Sequence, residues 1–239
     1  DLHYPLRRQR QMCIRDSAKT DRFHVKLFEE DTNLSALLLT DLSASMRFGE
    51  STKNKALYAQ QLAASLSHLI LAQGDSVGLT VFDSQVRSFI PPRHRQDQWG
   101  TILEALTATK TTEEESAIAS VLSAMGEHLK KRGLVVVISD LIDEPEQVIK
   151  NLSILRKRHQ EIIVFHILTP EEIELPYYGT VEFHPLEGED IPMQTTPKRL
   201  QKNYRERVKQ FLDTYREGFL ESGIDYNMVG TDQPLENVL

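Results

Sequence analysis

The stretch LSALLLT (34–40), followed directly by Asp41-Leu42-Ser43-Ala44-Ser45, decides the fold. An apolar run of this length with no polar alternation reads as a strand buried on both faces, the habit of parallel sheets. Asp41 then falls at the strand's carboxyl end, where open α/β sheets place their ligand sites. One carboxylate and two hydroxyls at alternate positions, Asp41, Ser43 and Ser45, offer three hard oxygens of low total charge to a small divalent cation such as Mg2+, with Mn2+ as a substitute. Magnesium takes six oxygens in near-octahedral geometry, so a cage that leaves one vertex to water can accept a carboxylate from a partner protein. On this pattern the chain binds rather than catalyses. Asp and Ser also populate helix-entry turns for purely local reasons, so the cation site needs ligands from elsewhere in the chain.

Working outward, the spacing of Ala56, Leu57, Ala59, Leu62, Ala63, Leu66, Leu69 and Ile70 predicts an amphipathic helix over 53–73, ended by Gly74. SVGLTVF (76–82) and 85–90 read as strands joined by the turn Asp83-Ser84, with Pro91-Pro92 closing the pair. Helices are expected over 96–108 and 118–131, the second stopped by Gly133. LVVVIS (134–139) is a further buried strand that ends at Asp140, and Pro145 opens a helix reaching about residue 158. EIIVFHIL (161–168) supplies another strand, with an earlier one expected over 24–29. A small hairpin is expected over 179–194, a long charged helix over 197–222, a last strand over 224–229 and the start of a helix over 233–239. Sustained β-α alternation implies an α/β fold: a doubly wound, mainly parallel central sheet with helices on both faces.

Composition bounds the rest. The chain has 239 residues, 40% hydrophobic and 26% charged, the ordinary range for one globular domain. Its single cysteine, Cys13, permits neither a disulfide framework nor a cysteine-based zinc site, and points to a cytoplasmic, reducing location. No apolar run is long enough for a membrane segment. Residues 1–17 differ in composition from the remainder of the chain, and Met12 to Ser17 (MCIRDS) is similar to the translation of a sequencing adapter. They are set aside as a leader, leaving 18–239 as one domain expected to be truncated at both ends. Without the leader, 24 basic face 33 acidic side chains, an acidic balance that argues against a nucleic-acid partner.

A doubly wound fold gathers distant strand ends, so Ser116, before the helix at 118, and Asp140 can join Asp41, Ser43 and Ser45. Asp-x-Ser-x-Ser after the first core strand, a hydroxyl before a helix and an Asp after a later strand resemble the metal-ion-dependent adhesion site of von Willebrand factor A domains. The segments TDRFHVKLFEEDTNLSALLLTDLSASM, YAQQLAASLSHLILAQGDSVGLTVFD, LVVVISDLID and GIDYNMVGTDQPLENVL resemble the bacterial A-domain family of unassigned function encoded beside MoxR-type AAA+ ATPases, across nearly all of 18–239. The resemblance implies Asp41, Ser43, Ser45, Ser116 and Asp140 as metal ligands and a MoxR-type AAA+ ATPase as partner in protein assembly or maturation. Relatives commonly carry Gly-Thr-Asp where this chain reads Glu115-Ser116-Ala117, so Thr111 and Thr112 are alternative donors.

Other classes lack anchors. Ser43 stands where a haloacid dehalogenase-type phosphatase needs its general acid, two residues after the first Asp. No nucleophile elbow, P-loop or dinucleotide fingerprint occurs. A metal-dependent hydrolase using Asp41 and Asp140 is the alternative from another class, and a structural module with a degenerate cation site is a third. His166, inside an apolar strand, reads as a hydrogen-bonded core residue; His68, His94, His128 and His159 read as surface residues. Trp99 and Tyr177-Tyr178 read as packing or loop anchors. Glu113 to Glu115 and the cations Lys198, Arg199, Lys202, Arg205, Arg207 and Lys209 read as solvated.

Overall fold

Successive residues of β1 (Ser35–Asp41) point to opposite faces of the sheet, and both faces are covered, which is why its middle, Ala36 to Leu39, is apolar without alternation. In the computed structural model of the chain, which describes residues 34–49, 54–109, 116–129, 131–177, 179, 181–183, 193–195 and 197–239, Ala36 and Leu38 enter one core while Leu37 enters another with Leu39. The described residues fall in the unit Asn33–Leu239. The expected strand at 24–29 and the leader lie outside them, as do Thr111, Thr112, Glu113 to Glu115 and Tyr178.

After β1 come α1 (Lys55–Ala72), β2 (Ser76–Phe82), β3 (Val86–Arg93), α2 (Gln98–Ala108), α3 (Ile118–Met125) and β4 (Gly133–Ser139). α4 (Pro145–Lys157), β5 (Gln160–Leu168), α5 (Pro170–Glu174), β6 (Val181–Phe183), β7 (Met193–Thr195), α6 (Pro197–Glu221) and β8 (Asp225–Gly230) complete the order. The main sheet runs β3-β2-β1-β4-β5-β8. Every neighbouring pair is parallel except β2 with β3. Side chains of α1 and α2 close the core that holds Ala36 and Leu38. Those of α3, α4 and α6 close the core that holds Leu37 and Leu39. The order reverses between β1 and β4, which makes their carboxyl ends the topological switch point. β6 and β7 pair antiparallel as a separate two-stranded sheet, the expected hairpin.

Four local expectations are corrected. Pro91-Pro92 do not close the β2–β3 pair; β3 runs through them to Arg93. It is an edge strand, where a missing N–H donor interrupts no second ladder. The helix expected to reach 131 ends at Met125, and the glycine that ends it is Gly126, whose carbonyl accepts a 3.1 Å bond from the Arg158 guanidinium. Gly133 instead belongs to β4, because a Cβ there would lie 2.5 Å from the Ser35 carbonyl oxygen. The helix expected over 233–239 is a single 3-10 turn, Leu235–Asn237. The unanticipated element is α5, which the Thr169/Glu172 capping box starts.

Gly78 sits in β2 where the register with β3 shifts. A Cβ there would lie 2.5 Å from the Ile90 carbonyl oxygen and 2.6 Å from the Pro92 nitrogen, both backbone atoms. Gly78→Ala should therefore cost about 1–3 kcal/mol of stability. The check is a urea titration, in which the midpoint falls and the slope stays unchanged.

Candidate metal centre

The chain turns sharply after β1, and Asp41 itself organises the turn: its Oδ1 accepts the Ser43 N–H at 2.9 Å. Ser45 begins a 3-10 turn, Ser45–Arg47, that folds its hydroxyl back to 3.2 Å from the Ser43 hydroxyl. The far oxygen of Asp41, Oδ2, accepts hydroxyl bonds from Ser139 at 2.7 Å and Ser116 at 3.0 Å. Ser116 is held because the next residue, Ala117, donates its N–H to the Asp83 carbonyl at the end of β2. The Asp83 carboxylate is committed to its own turn and to Arg87, at 2.6 Å. Four of the residues expected from the sequence, Asp41, Ser43, Ser45 and Ser116, are thus linked to one another at the switch point.

Strand alternation places the remaining groups. Val135 and Val137 face the core shared with α3 and α4, so Ser139 reaches Asp41 on that side. Asp140 turns the other way and meets α1: its Oδ2 accepts a 2.7 Å bond from Lys55 Nζ. Lys55 also pairs with Glu172 of α5. Glu172 Oε2 accepts the Thr169 N–H at 2.8 Å. Asp41, Ser43, Ser139, Asp140 and Lys55 are all 0% exposed. Leu141 takes φ 54°, which lets its N–H reach the Ser139 hydroxyl at 2.9 Å, and its carbonyl accepts the Tyr215 hydroxyl at 2.9 Å.

Burial, and then the charge of Asp140, push the Asp41 carboxyl up to about 6, with hydrogen bonds from Ser139 and Ser43 pulling the other way. Lys55 shows the opposite balance. Burial would lower its pKa, but Asp140 and Glu172 outweigh it and the net direction is upward.

These donors suit a small hard cation. Cis oxygens around an ion with bonds of about 2.1 Å stand about 3.0 Å apart, close to the 3.2 Å between Ser43 and Ser45 and the 3.0 Å between Ser116 and Asp41. A fully buried carboxylate whose pKa is raised is one that a cation would relieve. Among the described residues no group of three or more His, Cys, Asp or Glu gathers as a metal site. Any cation here would rely on two carboxylates and hydroxyls, a set that favours Mg2+ over softer metals.

Sequence reasoning pointed to the Ser139-Asp140 boundary but took only Asp140 from it as a ligand, and it missed Lys55, Asp83 and Glu172. Ser139 had a signal, since it precedes Asp140 in the same strand and faces the other way. Thr169-x-x-Glu172 is a capping-box pattern that announces α5. The other readings hold where they are described. His166 is buried and its Nδ1 pairs with the Tyr226 hydroxyl at 2.8 Å. His68, His94, His128 and His159 are exposed, as are Lys202, Arg205, Arg207 and Lys209. Trp99 packs at the surface with its N–H on the Ala64 carbonyl. No helix among the described residues is long and apolar enough to cross a membrane.

Residues 8–212 match the family described as "Protein of unknown function DUF58". A similar protein is the "Uncharacterized protein Rv1480" of Mycobacterium tuberculosis, 26% identical over 182 residues, which cover 75% of this chain and 57% of that protein. The chain therefore spans less than two thirds of the curated relatives it matches. Among solved structures, it is similar to the conserved hypothetical protein BatB from Bacteroides thetaiotaomicron, with TM-score 0.57 at 15% identity over 82% of this chain and 90% of that one. An aerotolerance-related membrane protein from Bacteroides fragilis gives TM-score 0.57 at 15% identity over 86% and 94%. These likenesses establish the fold, a von Willebrand factor A-like α/β domain.

Two buried groups set an opposed pH dependence. Asp41 lies above its ordinary 3.8, so its contribution to stability is complete below pH 4 and lost as pH rises through about 6. Burial pushes His166 from 6.5 down to about 4, so its contribution is complete above pH 6.5 and lost as pH falls through about 4. Asp41→Asn removes only the first. In chelator at pH 7.5 this variant should be more stable than the parent, by about 3 kcal/mol at most. The advantage should vanish by pH 4, with a steeper acid decline in the variant. Urea midpoints at pH 4, 5, 6 and 7.5 check this.

Proposed function

The chain belongs to that DUF58 family, and from this premise we propose that it is a divalent-cation-dependent protein-binding adaptor. The supporting observation is the linked set Asp41, Ser43, Ser45 and Ser116 at the switch point, with hydroxyl and carboxylate oxygens 3.0–3.2 Å apart, beside Asp140 at the end of the neighbouring strand. Asp41 would supply the central negative charge. Ser43 and Ser45 would be direct oxygen ligands, and Ser116 and Asp140 would contact the ion directly or through water. Five protein oxygens leave one of six positions to a partner's Glu or Asp. Recognition would then need both the metal and an acidic side chain, and no catalytic step is assigned to the chain.

The partner in this reading is a MoxR-type AAA+ ATPase, and the setting is cytoplasmic assembly or maturation of other proteins. Support for the partner is the sequence resemblance. Support for a binding role is the von Willebrand factor A-like fold itself, which serves widely as an interaction module.

Isothermal titration of the chain with Mg2+ and Mn2+, beside Asp41→Ala, tests the site. Saturable binding is expected in the parent, with affinity at least tenfold lower in the variant. Capture of the ATPase should be present in Mg2+ and absent in chelator. Capture that is equal in both, and equal for Asp41→Ala, would reject metal-dependent recognition.

A further inference from the structure

Lys55 is the first residue of α1, and its side chain is withdrawn from solvent completely. Lysine is among the residues least often buried, and only paired ammonium groups survive there. Its Nζ lies 2.7 Å from Asp140 Oδ2, pairs with Glu172 Oε1, and stands 6.0 Å from the centre of the Phe48 ring. One oxygen of Asp140 is therefore occupied by an ammonium supplied by the protein. The other, Oδ1, faces the loop after β4, where the nearest donor is the Ile142 N–H at 3.4 Å.

We propose that Lys55 is the specificity-determining residue of the cation site, holding Asp140 to a single available oxygen and so selecting Mg2+ over Ca2+. The proposal rests on the cation-site reading above. Calcium takes six to eight oxygens and uses bidentate carboxylates, whereas magnesium takes six at shorter distance and is served by monodentate ones. With Oδ2 tied to Lys55, Asp140 cannot chelate. With Asp41 Oδ2 shared by two serine hydroxyls, the other carboxylate is likewise restrained. Among the described residues the two carboxylates then offer single oxygens, the donor type that magnesium uses, where calcium favours a chelating carboxylate. Lys55 also places a positive charge beside the ion, which holds intrinsic affinity down and leaves room for an acidic partner to raise it.

Lys55→Met alone would leave the buried carboxylates of Asp140 and Glu172 facing each other, so the working variant is Lys55→Met/Glu172→Gln. It removes one positive and one negative group, keeping the cluster's formal charge, and glutamine still serves a capping box. After circular dichroism shows the native fold, titration with Mg2+ and Ca2+ should give a Ca2+ affinity raised at least tenfold relative to Mg2+. An unchanged Mg2+/Ca2+ ratio in the folded variant would overturn the proposal while leaving the cation site intact. Glu172→Gln is the second, milder variant: it strips one negative charge but leaves Lys55 on Asp140. Both ions should bind at least threefold more weakly with the preference retained, and a lost preference would count against Lys55. If the parent binds neither ion, even with a glutamate-containing peptide present, the underlying cation-site reading itself fails.

Discussion

The carboxylates of Asp41 and Asp140 are removed from water at the point where the sheet reverses its winding, and much of the surrounding structure answers that constraint. A buried charge costs several kcal/mol unless hydrogen bonds or an opposite charge replace its hydration. Asp41 receives one backbone N–H and two hydroxyls. Asp140 receives Lys55. Meeting those needs recruits the turn after β1, the entry to α3, the end of β4 and the first turn of α1. Glu172 then brings α5 against Lys55, and Tyr204 of α6 donates to the Glu172 carbonyl at 2.7 Å. The left-handed Leu141 belongs to the same scheme, since its strained backbone is fixed by Ser139 on one side and Tyr215 on the other.

What could be read from the sequence followed from how local each signal is. β1, β2, β4 and β5 were legible because strands covered on both faces cannot alternate with polar residues, and their runs stop where the site begins. The meeting of Asp41, Ser43, Ser45 and Ser116 was legible because each lies beside an element end that the sequence marks. Pro91-Pro92 misled because an edge strand tolerates prolines that an interior strand would not. Gly126 and Gly133 were exchanged in role because a glycine that ends a helix and one that admits a neighbouring backbone look identical in a string. Lys55 was illegible for a deeper reason. Its burial depends on carboxylates 85 and 117 positions further on, and a lysine at the start of a helix otherwise reads as solvated.

His166 and Asp41 show how two such groups coexist in one core. They project to the same side of the sheet as α6, His166 against the rings of Phe211, Tyr215 and Tyr226. Each is held with its charged form disfavoured, one by a lowered and one by a raised pKa. Their costs appear on opposite sides of the same pH interval, so neither extreme of that interval carries both penalties at once.

The candidate donors are held by contacts within the protein. Ser43 and Ser45 are brought together by a 3-10 turn whose backbone bonds, Met46 N–H to Ser43 and Phe48 N–H to Ser45, are local to it. Ser116 is fixed through Asp83, and Asp140 through Lys55. Each donor is thus positioned by neighbouring protein groups, the arrangement that preorganises a binding site and limits the ordering cost of occupancy. Burial weighs most on the Asp41 carboxylate, whose charged form it disfavours. A cation would relieve that one group without repacking either core, and binding energy left over could serve recognition of a partner's carboxylate.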